Sequence, residues 1–196
     1  MRALLAPGLV LLLALGGCKD ASTPAAKDAP TAVKSSSTVS IEAIESQAKG
    51  FSVGSAVSAR TVYVFFDSQC PHCAALWEAA KPLKSQARFV WLPVAVLGPD
   101  SATQGAALLA APDPAAAMEA HEQSMREKHV GIVPTGDVSA QKAIVERNTK
   151  LLDGFGIGSV PAIVAKHAQT GALVVQEGAM PTAALANLLG LNLPGS

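Results

Sequence analysis

The fold of this chain is decided by the stretch FFDSQCPHC, residues 65–73. An apolar, β-favouring run at residues 61–66 leads into it and predicts a buried strand. A polar turn follows, and a Cys-x-x-Cys sequence then opens a run of good helix formers at residues 74–81. Pro71 fits the first helical turn, because its missing N–H would have had no partner there. The sequence therefore predicts a strand, a turn and a helix, with Cys70 at the mouth of the helix.

This position favours a reactive thiolate at Cys70. Free N–H groups and the positive dipole end of a helix stabilise an anion, and thiol pKa values fall from about 8.5 to roughly 3.5–7.5 in such sites. A protonated His72 would add a second positive charge beside the sulfur, which we favour because its place between the thiols fixes its distance; a solvated loop residue is the alternative. Cys73, one turn into the helix, should be more buried and have the higher pKa.

The spacing of Cys70 and Cys73 lets two sulfurs meet across one helical turn, which is what thiol–disulfide exchange requires. An inert disulfide and half of a zinc site are the alternatives. Zinc usually takes four ligands, and the sequence has three cysteines and no second Cys-x-x-Cys. We therefore favour a catalytic redox pair and predict neither a metal nor a cofactor.

The third cysteine, Cys18, follows an apolar N-terminal stretch that is too short to span a bilayer. Residues 1–17 are typical of a cleaved signal peptide, and LGGC at 15–18 resembles the lipobox of bacterial lipoproteins. That resemblance implies that Cys18 is lipidated and becomes the first residue of the mature protein. Ordinary secretion with a free Cys18 is the alternative. Residues 18–38 are polar and are predicted to form a disordered tether.

Composition sets the limits for the remainder, residues 39–196. Its length suits one domain, and the formal net charge of zero for the full chain does not point to nucleic acid. Abundant alanine and few aromatic residues predict a helix-rich core of small aliphatic side chains.

Hydrophobic periodicity and capping residues place the other elements. Helices are predicted at 39–49, from the Cys-x-x-Cys to about Gln86 with a kink at Pro82, three times within 99–153, and at 181–191; strands are predicted at 51–60, 88–96, 160–166 and 172–177. The glycines at 154–158 follow a helix and enter a strand. A nucleotide-binding loop has the opposite order, so nucleotide binding is not expected.

This order of elements resembles the thioredoxin fold, and in particular the periplasmic disulfide isomerase group of DsbC/DsbG-like proteins. The segments that carry the resemblance are FFDSQCPHCAALW (65–77), LPVAVLGPDSATQGAALLAAPDPAAA (92–117) and GIGSVPAIV (156–164). The resemblance implies an α/β, thioredoxin-like fold with a helical insertion between the second and third core strands.

The resemblance also implies roles for individual residues. Cys70 would be the exposed nucleophile and Cys73 the resolving thiol that completes the redox disulfide. Pro161 would be cis and face Cys70, and Val160 would offer backbone groups to an extended substrate peptide. Pro71 and His72 lie between the cysteines and are expected to tune the pair. Asp67, which we place in the turn before them, is given only a tuning role.

The implied activity is thiol:disulfide interchange, as an isomerase or reductase, on cysteine-containing exported proteins. A membrane redox partner of the Dsb type would reset the pair in the periplasm, where the lipid would anchor the protein. Pro71-His72 and the valine before Pro161 resemble instead the monomeric oxidase DsbA, which is the alternative activity. Residues 19–58 are too short and too polar for the N-terminal dimerisation domain of the isomerases, so dimerisation of that kind is not expected.

A second group of side chains predicts a different class of function. Met118, His121, Met125 and His129 fall on one helical face, and soft and imidazole ligands suit copper. Methionine at this spacing more often packs in the core, as we expect also of Trp77 and Trp91. A redox-silent chaperone or a copper-binding lipoprotein is therefore kept as the rival interpretation.

Overall fold

A computed structural model describes residues 38–193 of the chain. The predicted signal peptide at 1–17, the lipidated Cys18 and all but the last residue of the predicted tether lie outside the described residues. Within the described part, no helix combines the length and the apolar character needed to cross a bilayer.

The described chain contains both helices and strands. In order they are α1 (Ile41–Gln47), β1 (Phe51–Gly54), β2 (Thr61–Asp67), α2 (Pro71–Ala80), β3 (Arg88–Val94), α3 (Ser101–Ala110), α4 (Pro114–Arg126), α5 (Ser139–Gly154), β4 (Ala162–Lys166), β5 (Leu173–Glu177) and α6 (Thr182–Leu189). Three helices, α3 to α5, separate β3 from β4. The predicted α/β fold with a helical insertion between the second and third core strands is therefore confirmed.

The strands form one sheet in the order β1-β3-β2-β4-β5. β2 pairs parallel with β3, and the crossover between them is α2. β2 also pairs antiparallel with β4, with Phe65 opposite Ala162. A strand with neighbours on both sides and helices over it is apolar throughout, which explains the continuous apolar run that marks β2 in the sequence. The pairing also brings the end of β2 beside the start of β4.

Two predicted boundaries are wrong. α2 ends at Ala80, and Lys81–Leu83 form a short 3₁₀ helix instead of a kinked continuation to Gln86. Pro82 explains this ending, because it lacks an N–H and its ring would clash with the carbonyl one turn earlier. β1 ends at Gly54 and does not reach Arg60, because Gly54 has a φ of 103°, outside the extended region.

A cluster of aromatic side chains packs α2 against the sheet. The rings of Trp77 and Trp91 meet edge to face with centroids 5.0 Å apart, and Phe51 and Phe66 extend the cluster. Both tryptophans are buried, as predicted. The cluster fixes the helix that carries the two cysteines.

Candidate active site

Cys70 occupies the N-cap of α2. Its backbone is extended, and its Sγ accepts a hydrogen bond of 3.2 Å from the N–H of Cys73. The Cys70 N–H donates to the carbonyl of Asp67 at 3.0 Å, which fixes the turn after β2. Pro71 is the first helical residue. The predicted position of Cys70 at the mouth of the helix is confirmed.

This environment lowers the pKa of Cys70 to about 6. The largest cause is the hydrogen bond that the Cys73 thiol donates to the Cys70 sulfur, and burial opposes it. The N–H groups of Cys73 and His72 lower the pKa further. The charge of His72 acts in the predicted direction but is weaker than these bonds, which agrees with an exposed imidazole.

Cys73 has the opposite character. It is fully buried, and burial raises the pKa of its thiol, with the hydrogen bond to Cys70 and the Cys70 charge acting in the same direction. Both cysteines are free thiols in this structure. One sulfur is thus an anion near neutral pH and the other holds its proton, which is the division that exchange between two thiols requires.

The expectation of an exposed Cys70 is wrong, since the residue is only 5% exposed. The carbonyl of Val160, in the segment before β4, lies beside its sulfur. Cys70 also lines a cavity of about 300 Å³ between α2 and α4. Its lining includes Cys70, Pro71 and Ala74 from the start of α2 and Glu122, Met125 and Arg126 from the end of α4. The α4 residues belong to the helical insertion, and the expectation of an exposed Cys70 did not take the packing of this insertion into account.

The residues before β4 face the Cys70 sulfur. The Val160–Pro161 peptide bond is cis, as predicted. The carbonyl oxygen of Val160 lies 3.6 Å from the Sγ of Cys70. Pro161 is buried, and its own carbonyl accepts a hydrogen bond of 2.8 Å from Gly178. The structure therefore brings Cys70, Val160 and Pro161 together.

Asp67 has a different position from the one predicted. It is fully buried at the end of β2, and its two carboxyl oxygens accept hydrogen bonds from three backbone N–H groups. The donors are Gln69 at 2.9 Å, Val96 at 2.8 Å and Leu97 at 3.0 Å. Asp67 thus ties the turn before Cys70 to the segment that follows β3. This positioning role was not apparent from the sequence.

Three of the four candidate copper ligands, Met118, His121 and His129, lie in different environments. His121 is buried, its Nε2 lies 2.8 Å from the carbonyl oxygen of Ser68, and its Nδ1 accepts a hydrogen bond of 2.9 Å from the N–H of Ile132. Both ring nitrogens are therefore engaged, and burial lowers the pKa of the imidazole. Met118 packs in the core, and His129 is exposed beyond the end of α4. Within residues 38–193 no group of three or more His, Cys, Asp or Glu side chains could hold a metal ion.

Glu122 is the residue of the site that sequence reasoning missed. It is 2% exposed and lines the cavity beside Cys70. Its Oε1 has no hydrogen-bond partner among the residues that the structure describes. Burial is the main cause that raises its pKa to about 7. The available signal was its position one turn after Met118, on the buried face of α4.

Comparison with known proteins is consistent with this geometry. The sequence profile of the thioredoxin-like domain family matches residues 53–191. The chain is 33% identical over 141 residues to the thiol:disulfide interchange protein DsbG of Pseudomonas aeruginosa, a match that covers 70% of this chain and 54% of that protein. It is 35% identical over 104 residues to DsbG of Escherichia coli K12, covering 52% of this chain and 42% of that protein.

The chain thus spans about half the length of these curated relatives. Among solved structures, ScsC of Proteus mirabilis in a compact conformation superposes with a TM-score of 0.60 at 18% identity, over 80% of this chain and 81% of that one. At this level of identity the likeness establishes the fold alone.

Proposed function

This chain belongs to the thioredoxin-like family, and on that premise we propose that it is a thiol:disulfide interchange enzyme whose redox pair is Cys70 and Cys73. The observation that carries the proposal is the Cys70 sulfur at the N-cap of α2, with its pKa lowered to about 6 and the Val160 carbonyl 3.6 Å away. The similarity to two DsbG proteins supports the same reaction.

The chemistry assigns a separate role to each sulfur. The Cys70 thiolate attacks one sulfur of a substrate disulfide, the substrate S–S bond breaks, and the second substrate sulfur leaves as a thiolate. Cys73 then loses its proton and attacks the Cys70 sulfur of the mixed disulfide. The substrate's first sulfur leaves as a thiolate, and two electrons have passed from the pair to the substrate. The reverse sequence oxidises a substrate dithiol.

We assign Val160 and Pro161 to substrate binding. An extended peptide whose cysteine reacts with Cys70 must pass close to the Val160 carbonyl, because that oxygen lies 3.6 Å from the attacking sulfur. Main-chain contacts of this kind accept many sequences. They suit a range of cysteine-containing exported proteins as substrates.

The direction of net electron flow is the second part of the proposal. Similarity to DsbG supports an isomerase or reductase, which works with a reduced pair. The oxidase alternative is supported by the lowered pKa of Cys70, since stabilising the thiolate stabilises the reduced protein and makes its disulfide more oxidising. In either case a membrane partner of the Dsb type would return the cysteine pair to the redox state in which it acts.

We also propose that the protein works in the periplasm, anchored by a lipid on Cys18. The apolar segment before Cys18 and the LGGC sequence support this location. Mass spectrometry of the N-terminal peptide from membranes tests the anchor. An acylated N-terminal Cys18 is expected, and a peptide that retains residues 1–17 or carries a free thiol would contradict it.

Reduction of insulin and refolding of scrambled ribonuclease test the activity. Cys70→Ser should abolish both reactions, whereas Cys18→Ser, which removes the proposed lipid anchor and leaves the pair intact, should leave them unchanged in purified protein. Refolding that survives Cys70→Ser would favour the redox-silent chaperone. Comparing the two assays also separates reductase from isomerase, and measuring the redox state of the pair in cells separates both from an oxidase.

A further inference from the structure

Glu122 and Cys70 line one cavity of about 300 Å³. Glu122 is buried on the inner side of α4, and Cys70 begins α2 on the opposite side. Within residues 38–193, no donor reaches the Oε1 of Glu122. A buried carboxyl oxygen without a partner is costly when it is charged, so its protonation responds strongly to nearby charges.

The charged groups around Glu122 come from both helices. On α4, Arg126 favours the ionised carboxyl and Glu119 disfavours it; on α2, the Cys70 thiolate and Glu78 disfavour it. Arg126 also contacts Glu78, with 3.3 Å between its guanidinium nitrogen and the Glu78 carboxyl oxygen, and half of its side chain is exposed. The positive charge is therefore shared and screened by solvent, and it does not offset burial.

Among these groups, the charge that changes in the redox reaction is that of Cys70. The sulfur is an anion in the dithiol form and carries no charge in a disulfide. Two ionisable groups that interact strongly titrate as a pair. A negative sulfur favours the neutral carboxylic acid, and loss of that charge favours the carboxylate.

We propose that Glu122 takes up a proton when the Cys70–Cys73 disulfide is reduced and releases it when the disulfide forms again. This inference rests on the proposed function, because it needs the redox pair. With a substrate dithiol as the reductant, two electrons and two protons enter the protein. The S–S bond breaks, Cys73 receives one proton, Cys70 remains a thiolate, Glu122 receives the second proton, and the substrate leaves as a disulfide.

This role differs from simple packing. A glutamic acid that only fills space would keep its protonation state through the reaction. If the Glu122 carboxyl gains a proton on reduction and loses it on oxidation, the reduction potential of the cysteine pair depends on pH through Glu122 as well as through Cys70. Removing the carboxyl then changes the proton stoichiometry of the couple while the two thiols remain.

Infrared difference spectroscopy of the full chain, reduced minus oxidised, tests the proposal at about pH 6.5, between the pKa of about 6 for Cys70 and about 7 for Glu122. Reduction should increase the C=O stretching band of a protonated carboxylic acid. The increase should disappear in Glu122→Gln and persist in Glu127→Gln, a matched change at an exposed position on the C-cap of the same helix. Proton uptake per disulfide reduced should be lower in Glu122→Gln than in the wild-type protein and in Glu127→Gln.

The outcomes distinguish this proposal from the one on which it rests. A redox couple without any carboxyl change in the wild-type protein would overturn the role of Glu122 and leave the exchange activity intact. The absence of a dithiol–disulfide couple would overturn both. A carboxyl band that persists in Glu122→Gln would assign the proton to another acid. Because the wild-type spectrum alone can refute the proposal, the test does not depend on the variant folding.

Discussion

The Sγ of Cys70 lies 3.6 Å from the carbonyl oxygen of Val160, although the two residues are 90 positions apart in the chain. The sheet explains this contact. β2 and β4 pair antiparallel, so the end of the strand that leads to Cys70 lies beside the start of the strand that follows Pro161. A nucleophilic sulfur and a backbone segment able to hold a peptide are thereby placed together.

Removing the resolving thiol should trap the first covalent intermediate. In Cys73→Ala the Cys70 thiolate can still attack a substrate disulfide, but no internal thiol can release the product. We expect mixed disulfides with exported proteins to accumulate on Cys70, identified by non-reducing electrophoresis and mass spectrometry. In Cys70→Ser they should be absent. Equal trapping by both variants would contradict the assignment of the nucleophile.

Replacing Asp67 should destabilise the protein strongly. Asp67→Ala leaves three backbone N–H groups without their acceptor, two of them after β3. We expect a loss of about 3 kcal/mol or more in the free energy of unfolding. Urea denaturation of the reduced protein measures it. The control Asp137→Ala, at an exposed position whose carboxylate accepts hydrogen bonds from the nearby Ser139, should cost less than about 1 kcal/mol. Similar losses for the two variants would contradict the positioning role of Asp67.

Glu122→Gln should stabilise the reduced protein, and only at higher pH. The folded protein raises the pKa of this acid from 4.5 to about 7, so it binds a proton that the unfolded chain has lost. The free energy of unfolding of the wild-type protein therefore falls as pH rises from 4.5 to about 7. Relative to wild type, the variant should gain on the order of 3 kcal/mol at about pH 8 and nothing near pH 4. Denaturation at both pH values measures the difference, with Glu127→Gln as the control. A gain that does not depend on pH would refute the explanation.

His121 should stabilise the fold without binding copper. His121→Phe removes the partners of the Ser68 carbonyl and the Ile132 N–H, which predicts a loss of about 2–4 kcal/mol. Because burial lowers the pKa of His121, the unfolded chain binds the proton first, and wild-type stability should fall as pH drops below 6.5. This fall should be smaller in the variant. His129→Gln, at an exposed position, is the control. Copper binding that His121→Phe abolishes and His129→Gln weakens would favour the copper-binding alternative.

The local structure around Cys70 could be predicted because its determinants are local. An apolar β-favouring run, a polar turn and a proline at the first helical position define β2 and α2 within a few residues of each other. The cis peptide bond at Pro161 was accessible through resemblance to a known family.

Contacts over long distances in the chain could not be predicted in this way. Asp67 accepts hydrogen bonds from the N–H groups of Val96 and Leu97, which lie 29 and 30 residues away in the chain. The ring of His121 contacts the carbonyl of Ser68, 53 residues away. The burial of Cys70 and the position of Glu122 both depend on how the helical insertion packs over α2. No periodicity within one element encodes that packing.

The proposed exchange mechanism requires that the Cys70 thiol is ionised near neutral pH. Alkylation of the reduced protein measures this ionisation. Reaction with iodoacetamide across a pH series, followed by tandem mass spectrometry that locates the label on Cys70 or on Cys73, gives the rate at the Cys70 sulfur apart from the other thiols. We predict a midpoint near pH 6. A midpoint at the ordinary thiol value of about 8.5 would contradict the proposed mechanism.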